Sequence, residues 1–118
     1  MMPDPKYTPA ADGIYHEDGY KLPDDEPLMI LRGKDIGALH SIISYVEMLE
    51  DQPQNKTIVS HLLSSLERLK AFHDYQVKNP HLQSVGCSRR SHTRSFGFLL
   101  KARQIMDKYE IQYSDSDY

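Results

Sequence analysis

The chain has 118 residues, 39% of them hydrophobic and 26% charged, one cysteine and a formal net charge of −3. That length and composition point to one small globular domain with a modest core. They exclude an internal disulfide, a membrane span (no run of about 18 apolar residues is present) and a general nucleic-acid binder, which runs basic.

Met1-Met2-Pro3-Asp4-Pro5 lacks a basic region followed by an apolar one, so no signal peptide is expected. Residues 1–12 are rich in Pro, Asp and Ala and read as a loose N-terminus. Asp18-Gly19, set between Ile14-Tyr15-His16 and Tyr20-Lys21-Leu22, is a hairpin-turn signal. Pro23-Asp24-Asp25-Glu26-Pro27 breaks the chain, and Leu28-Met29-Ile30-Leu31, bounded by Pro27 and Gly33, reads as a buried strand. Residues 13–34 are thus expected to form a small β element.

Asp35 stands where a first helix needs its N-cap. Ile36, Leu39, Ile42, Ile43, Val46 and Leu49 follow a 3.6-residue period and predict a helix to about Glu50. Asp51-Gln52-Pro53-Gln54 ends it, and Asn55 or Thr57 starts a second helix. The second stripe is Val59, Leu62, Leu66, Leu69 and Phe72 or His73, ending at Asn79-Pro80. So short a connection favours an antiparallel helical hairpin. Residues 80–95 lack apolar periodicity and read as a loop. A third helix is expected from Ser95 or Phe96 to Tyr109, with Ser95 as N-cap and Phe98, Leu99, Ala102, Ile105, Met106 and Tyr109 as its apolar side. Residues 110–118 read as an acidic tail without a partner. The expected fold is α+β, predominantly α: a helical hairpin and a third C-terminal helix forming a core over 35–109, with a small N-terminal β element, all within a single domain 1–118. The nearly heptad-spaced second stripe and leftover apolar surface predict a homo-oligomer.

Charge is unevenly distributed. Seven acids face two lysines from Met1 to Ile30, whereas six bases face one acid from His81 to Lys108. The basic part contains Gly86-Cys87-Ser88-Arg89-Arg90-Ser91-His92-Thr93-Arg94-Ser95, just before the third helix. Arg89, Arg90 and Arg94 offer guanidinium forks, Ser91 and His92 offer further donors, and a helix N-terminus adds a positive partial charge. That combination holds phosphate. Arg32 and Lys34, in the turn after the expected strand, are candidate contributors from the same or a neighbouring subunit, and Phe96, Tyr109 or a tyrosine of the hairpin could stack a base.

Other chemistry has weaker support. None of the six histidines pairs at the i, i+4 spacing of a helical metal site, and there is no Cys-x-x-Cys. A metal or other cofactor is therefore not expected. Cys87 near Arg89, Arg90 and His92 could have a lowered pKa, but a nucleophile needs a positioned base, so no catalytic residue is assigned. Asp24-Asp25-Glu26 reads first as a solvated turn, and Gly33-Lys34 lacks the upstream glycines of a phosphate-binding loop.

Residues 24–50, with the acidic Asp-Glu-Pro turn and Leu31-Arg32-Gly33-Lys34-Asp35 before an amphipathic helix, resemble a pattern in small bacteriophage proteins of unknown role. In outline alone, the helical hairpin with downstream arginines is similar to phage sponge proteins of the Thoeris anti-defence and anti-CBASS kinds. Those are small, helical and oligomeric, and sequester cyclic nucleotide signals. The resemblance implies a non-enzymatic protein of the host cell cytoplasm that binds a cyclic nucleotide or another phosphate-bearing small molecule and antagonises host defence. A different reading is a protein–protein inhibitor of a host defence nuclease or effector complex, with the acidic turn and tail mimicking nucleic-acid phosphate. A third is a weak single-stranded nucleic-acid binder, marked by steep salt dependence.

Overall fold

The computed structural model describes residues 6–29, 31–79 and 89–114, with residues 89–96 described by backbone alone. The chain forms two compact units, Met1–Ile30 and Leu31–Tyr118.

The first unit is built on an antiparallel pair, β1 (Tyr7–Ala10) and β2 (Gly13–His16), in the register Tyr7 to His16, Thr8 to Tyr15, Pro9 to Ile14 and Ala10 to Gly13. The two residues Ala11 and Asp12 reverse the chain, and Tyr15 Oη donates to Asp12 Oδ2 at 2.8 Å. Gly13 follows with φ of 145°, and a Cβ there would stand 2.5 Å from Lys21 Cε. The stretch expected to be loose therefore supplies a strand over residues 7–10. A two-stranded ribbon has only edges, so Pro9 costs no ladder hydrogen bond that the pair needs.

The expected turn at Asp18-Gly19 is present. Gly19 takes φ of 94°, its N–H donates to His16 O at 2.9 Å, and His16 N–H donates to Tyr20 O at 2.8 Å. The returning limb makes one bridge, Tyr15 to Lys21, in place of a full strand. The His16 ring stacks on Tyr20 with centroids 4.7 Å apart and meets the Tyr7 edge at 5.5 Å. This aromatic trio is the main side-chain packing of a ribbon too short to hold itself by ladder bonds.

Leu28 and Met29 are not in a buried strand. They lie outside any regular element and are 56% and 76% exposed. Among the described residues no strand pairs with this run, and Pro27 just before it lacks the N–H that a ladder uses. Ile30 lies outside the described residues.

The second unit is a three-helix bundle. Asp35 N–H donates to Arg32 O at 3.0 Å, closing a turn, and the Asp35 carboxylate then caps α1 (Ile36–Glu50) by accepting from Gly37 N–H at 2.8 Å. Ile36, Leu39, Ile43, Val46 and Leu49 are buried as the spacing predicts, together with Ala38. Asn55 caps α2 (Lys56–Lys78), accepting from Ile58 N–H at 3.0 Å. The buried positions of α2 are Leu62, Ser65, Leu66, Leu69, His73, Gln76 and Val77. Val59, expected in this stripe, is exposed.

Helix α3 (Arg89–Lys108) starts well before the expected Ser95. Ser95 is inside the helix and is not its cap. No Pro or Gly lies between Arg89 and Ser95, so nothing in the backbone chemistry stops the helix there. Its buried residues among those described are Leu99, Ala102 and Met106. All three helices pack on one another around Leu39, Ile43, Val46, Leu66, Leu69, Leu99 and Met106.

After α3 the chain does not run free. Glu110 takes the left-handed conformation at φ of 57°, and Ile111 N–H donates to Met106 O at 2.8 Å, closing the helix end. Ile111 and Tyr113 then pack against the core. The tail expected over 110–118 is thus a packed segment as far as Ser114, and residues 115–118 lie outside the described residues.

One capping prediction follows. Asp35→Ala should lower stability by about 1 kcal/mol, read as a lower urea midpoint, because Gly37 N–H is left without its acceptor.

Candidate functional site

The expected phosphate-binding residues fall on two elements. Arg89, Arg90, Ser91, His92 and Arg94 occupy the first two turns of α3, and the first turn holds no acidic residue. Residues 90 and 94 stand one turn apart. Their side chains, and all of Gly86, Cys87 and Ser88, lie outside the described residues. The helix macrodipole disfavours cations at an N-terminus by about 0.3–1 kcal/mol each. Arginines here therefore stand at the end of a helix whose dipole disfavours cations.

Arg32 and Lys34 lie in the turn before α1, Arg32 exposed and Lys34 half-buried. That turn is fixed from α2. Gln76, fully buried, donates through Nε2 to Gly33 O at 3.1 Å and to Asp35 O at 2.9 Å. Gly33 is packed under Tyr75, where a Cβ would stand 3.2 Å from Cδ1. Two candidate cations thus sit on a turn clamped by long-range hydrogen bonds.

A second constellation joins residues far apart in the sequence, with only His73-Asp74 as a local sign. His73, fully buried on α2, is held from both sides. Arg103 Nε donates to its Nε2 at 2.9 Å, so Nε2 is unprotonated and the ring proton sits on Nδ1. That proton is donated to Asp74 Oδ1 at 2.9 Å. Asp74 also accepts from Lys70 Nζ at 2.6 Å and from Ser114 N–H at 2.9 Å. The Tyr113 ring completes the cluster, edge-on to His73 at 5.2 Å and under the Arg103 guanidinium at 5.7 Å.

The electrostatics agree with this tautomer. Burial pushes the His73 imidazole below its ordinary range; the Asp74 hydrogen bond opposes that and the Arg103 charge reinforces it. Burial alone would raise the Asp74 carboxyl, but hydrogen bonds from Lys70, His73 and the Ser114 amide outweigh it and hold Asp74 below the usual carboxylate range. His73 is neutral and Asp74 ionised near neutral pH. With both imidazole nitrogens engaged and the ring sealed from solvent, the pair ties α2, α3 and the C-terminal segment together.

A smaller cluster joins the ends of α1 and α3. Glu50 Oε2 accepts from Lys108 Nζ at 2.6 Å and from Tyr109 Oη at 2.5 Å. The Lys108 and Tyr109 hydrogen bonds hold the Glu50 carboxyl low, while burial and Glu50 push the Tyr109 phenol up to about 12. Tyr109, a candidate for stacking a base, has its hydroxyl committed to this contact.

No protein family matches the chain, nor does any curated protein or solved structure. Among the described residues no group of three or more His, Cys, Asp or Glu is arranged to hold a metal ion. No described helix is long and apolar enough to cross a membrane.

Proposed function

We propose that this chain is a non-catalytic binding protein for a phosphate-bearing small molecule, held at the first turns of α3 by Arg89, Arg90 and Arg94 with Ser91 and His92. The observation that carries this reading is the placement of those arginines on the N-terminal turns of a helix, with no acid in the first turn to offset them. A phosphate there gains the guanidinium forks together with the favourable end of the helix dipole. Arg32 and Lys34, on their fixed turn, supply further positive charge from the same chain or from another copy.

The resemblance to phage sponge proteins supports a cyclic nucleotide as the ligand, and sequestration in the host cytoplasm, against host defence, as the role. Exposed Val59 and Leu63, one turn apart on α2, support self-association. A second reading has its own observation. Leu28 and Met29 are exposed directly after the exposed acids Asp24, Asp25 and Glu26, which suits docking to a basic host protein.

Calorimetric titration with a panel of cyclic nucleotides tests the first reading. Wild type is expected to bind at least one member, and Arg89→Ala/Arg90→Ala to bind it about a hundredfold more weakly, at about 1.5 kcal/mol for each guanidinium removed. Charge reversal at Asp24, Asp25 and Glu26 is expected to leave that affinity intact. A wild type that binds none of the panel overturns the reading, and loss of activity on charge reversal alone favours the inhibitor.

A further inference from the structure

We propose that the Asp74–His73–Arg103 network is an acid-sensitive latch that holds the C-terminal segment 110–114 on the helical bundle and releases it when His73 takes up a second proton. Besides the Ile111 N–H bond to Met106 O and the packing of Ile111 and Tyr113 on the core, two contacts of the segment run through this network. Ser114 N–H donates to Asp74 Oδ1, the same oxygen that accepts the His73 Nδ1 proton. The Tyr113 ring rests against His73 and Arg103 together.

The groups facing His73 are Asp74 and Lys70 from its own helix, Arg103 from α3 and the Tyr113 ring from the segment itself. A guanidinium is a donor only and cannot accept a hydrogen bond in return. In the neutral state its Nε–H points at an unprotonated Nε2 at 2.9 Å. A proton on Nε2 turns that contact into donor against donor and cation against cation, in a place water does not reach. Arg103 must then withdraw, and Tyr113 is left without the guanidinium above its ring. The imidazolium also draws Asp74 Oδ1 more strongly to itself, in competition with Ser114 N–H.

The sign follows from the two shifts. His73 and Asp74 are both held below their ordinary values. The stabilisation each gives is present above its unfolded value and is lost as pH falls through its folded value. His73 responds first, below its ordinary range near 6.5. Loss of the His73–Arg103 contact weakens one tie between α2 and α3, but Leu39, Leu66, Leu69, Leu99 and Met106 pack by apolar contact that does not titrate and keep the bundle together. Acid therefore opens the segment before it unfolds the bundle.

Amide hydrogen exchange followed by NMR, corrected for intrinsic rates, tests this between about pH 7.5 and about pH 5. The Ser114 amide, bonded to Asp74, should open about tenfold or more over that range, while those of Leu66 and Leu69 stay protected. His73→Gln, which can still accept from Arg103 and donate to Asp74 but does not titrate, should flatten the response. Nitrogen shifts of the wild-type His73 ring supply a test without substitution: their titration midpoint should coincide with that of segment opening. Equal protection at both pH values overturns the latch. So does opening of Leu66 and Leu69 in step with the segment, a His73→Gln protein with wild-type acid sensitivity, or midpoints separated by about one pH unit.

Discussion

Leu69→Ala is expected to lower the stability of the bundle by about 3 kcal/mol, seen as a large drop in the urea midpoint with an unchanged slope. Leu69 is fully buried near the middle of α2, within the cluster that includes Leu39 and Ile43 of α1 and Leu99 and Met106 of α3. Truncation removes the transfer free energy of the deleted methyl groups and leaves a cavity bounded by three helices that cannot all close at once. A domain of this size has about 5–15 kcal/mol in total, so one such site takes a sizeable share. Leu100→Ala is the control. Leu100 lies on α3 but is 44% exposed, and its truncation should cost less than about 1 kcal/mol.

Asp74→Ala is expected to cost a similar amount, about 3 kcal/mol, by a different route. It deletes one acceptor and strands three donors: Lys70 Nζ, the His73 Nδ1 proton and Ser114 N–H. Lys70 can turn to water. The His73 ring, fully buried, cannot, and its desolvated N–H carries most of the penalty. Asp74→Asn keeps an oxygen for His73 and Ser114 but turns an amide donor toward Lys70, so it should fall between wild type and the alanine variant. Urea unfolding of the three proteins at neutral pH measures the order directly. An alanine variant as stable as wild type would remove the network from any role in holding the bundle.

Elements whose signals are local are legible in the sequence. Helix α1 announces itself through Asp35 at the cap and a stripe that the bundle buries almost residue for residue. Asn55 likewise marks the start of α2. Helix α3 reads too short because its first two turns, Arg89 to Ser95, carry no apolar residue, and periodicity detects only turns that do. The apolar run at Leu28 and Met29 reads as a strand from composition, although a strand is a relation to a partner and none is supplied. Residues 7–10 mislead in the opposite direction: Pro9 masks a strand that a two-stranded edge tolerates.

The His73 network is not legible for a related reason. Arg103 and Ser114 stand 30 and 40 residues from their partners, and no short-range pattern joins them. The one local sign is a histidine followed by an aspartate, where an apolar stripe has to pass through either Phe72 or His73. For the residues proposed to bind phosphate, the sequence supplies residue types and the fold supplies the helical backbone of 89–94. A segment that reads as a loop ahead of a helix forms that helix's opening turns. Its arginines are therefore spaced by helical geometry, and Ser95 is not the residue that opens the helix.

Backbone amide NMR of the wild-type chain, titrated with the cyclic nucleotide that binds best, tests the central claim most directly. Shift changes are expected to concentrate at residues 89–94 of α3, with a smaller set at the Arg32–Asp35 turn. Changes confined to other surfaces, or none at saturating ligand, would contradict it.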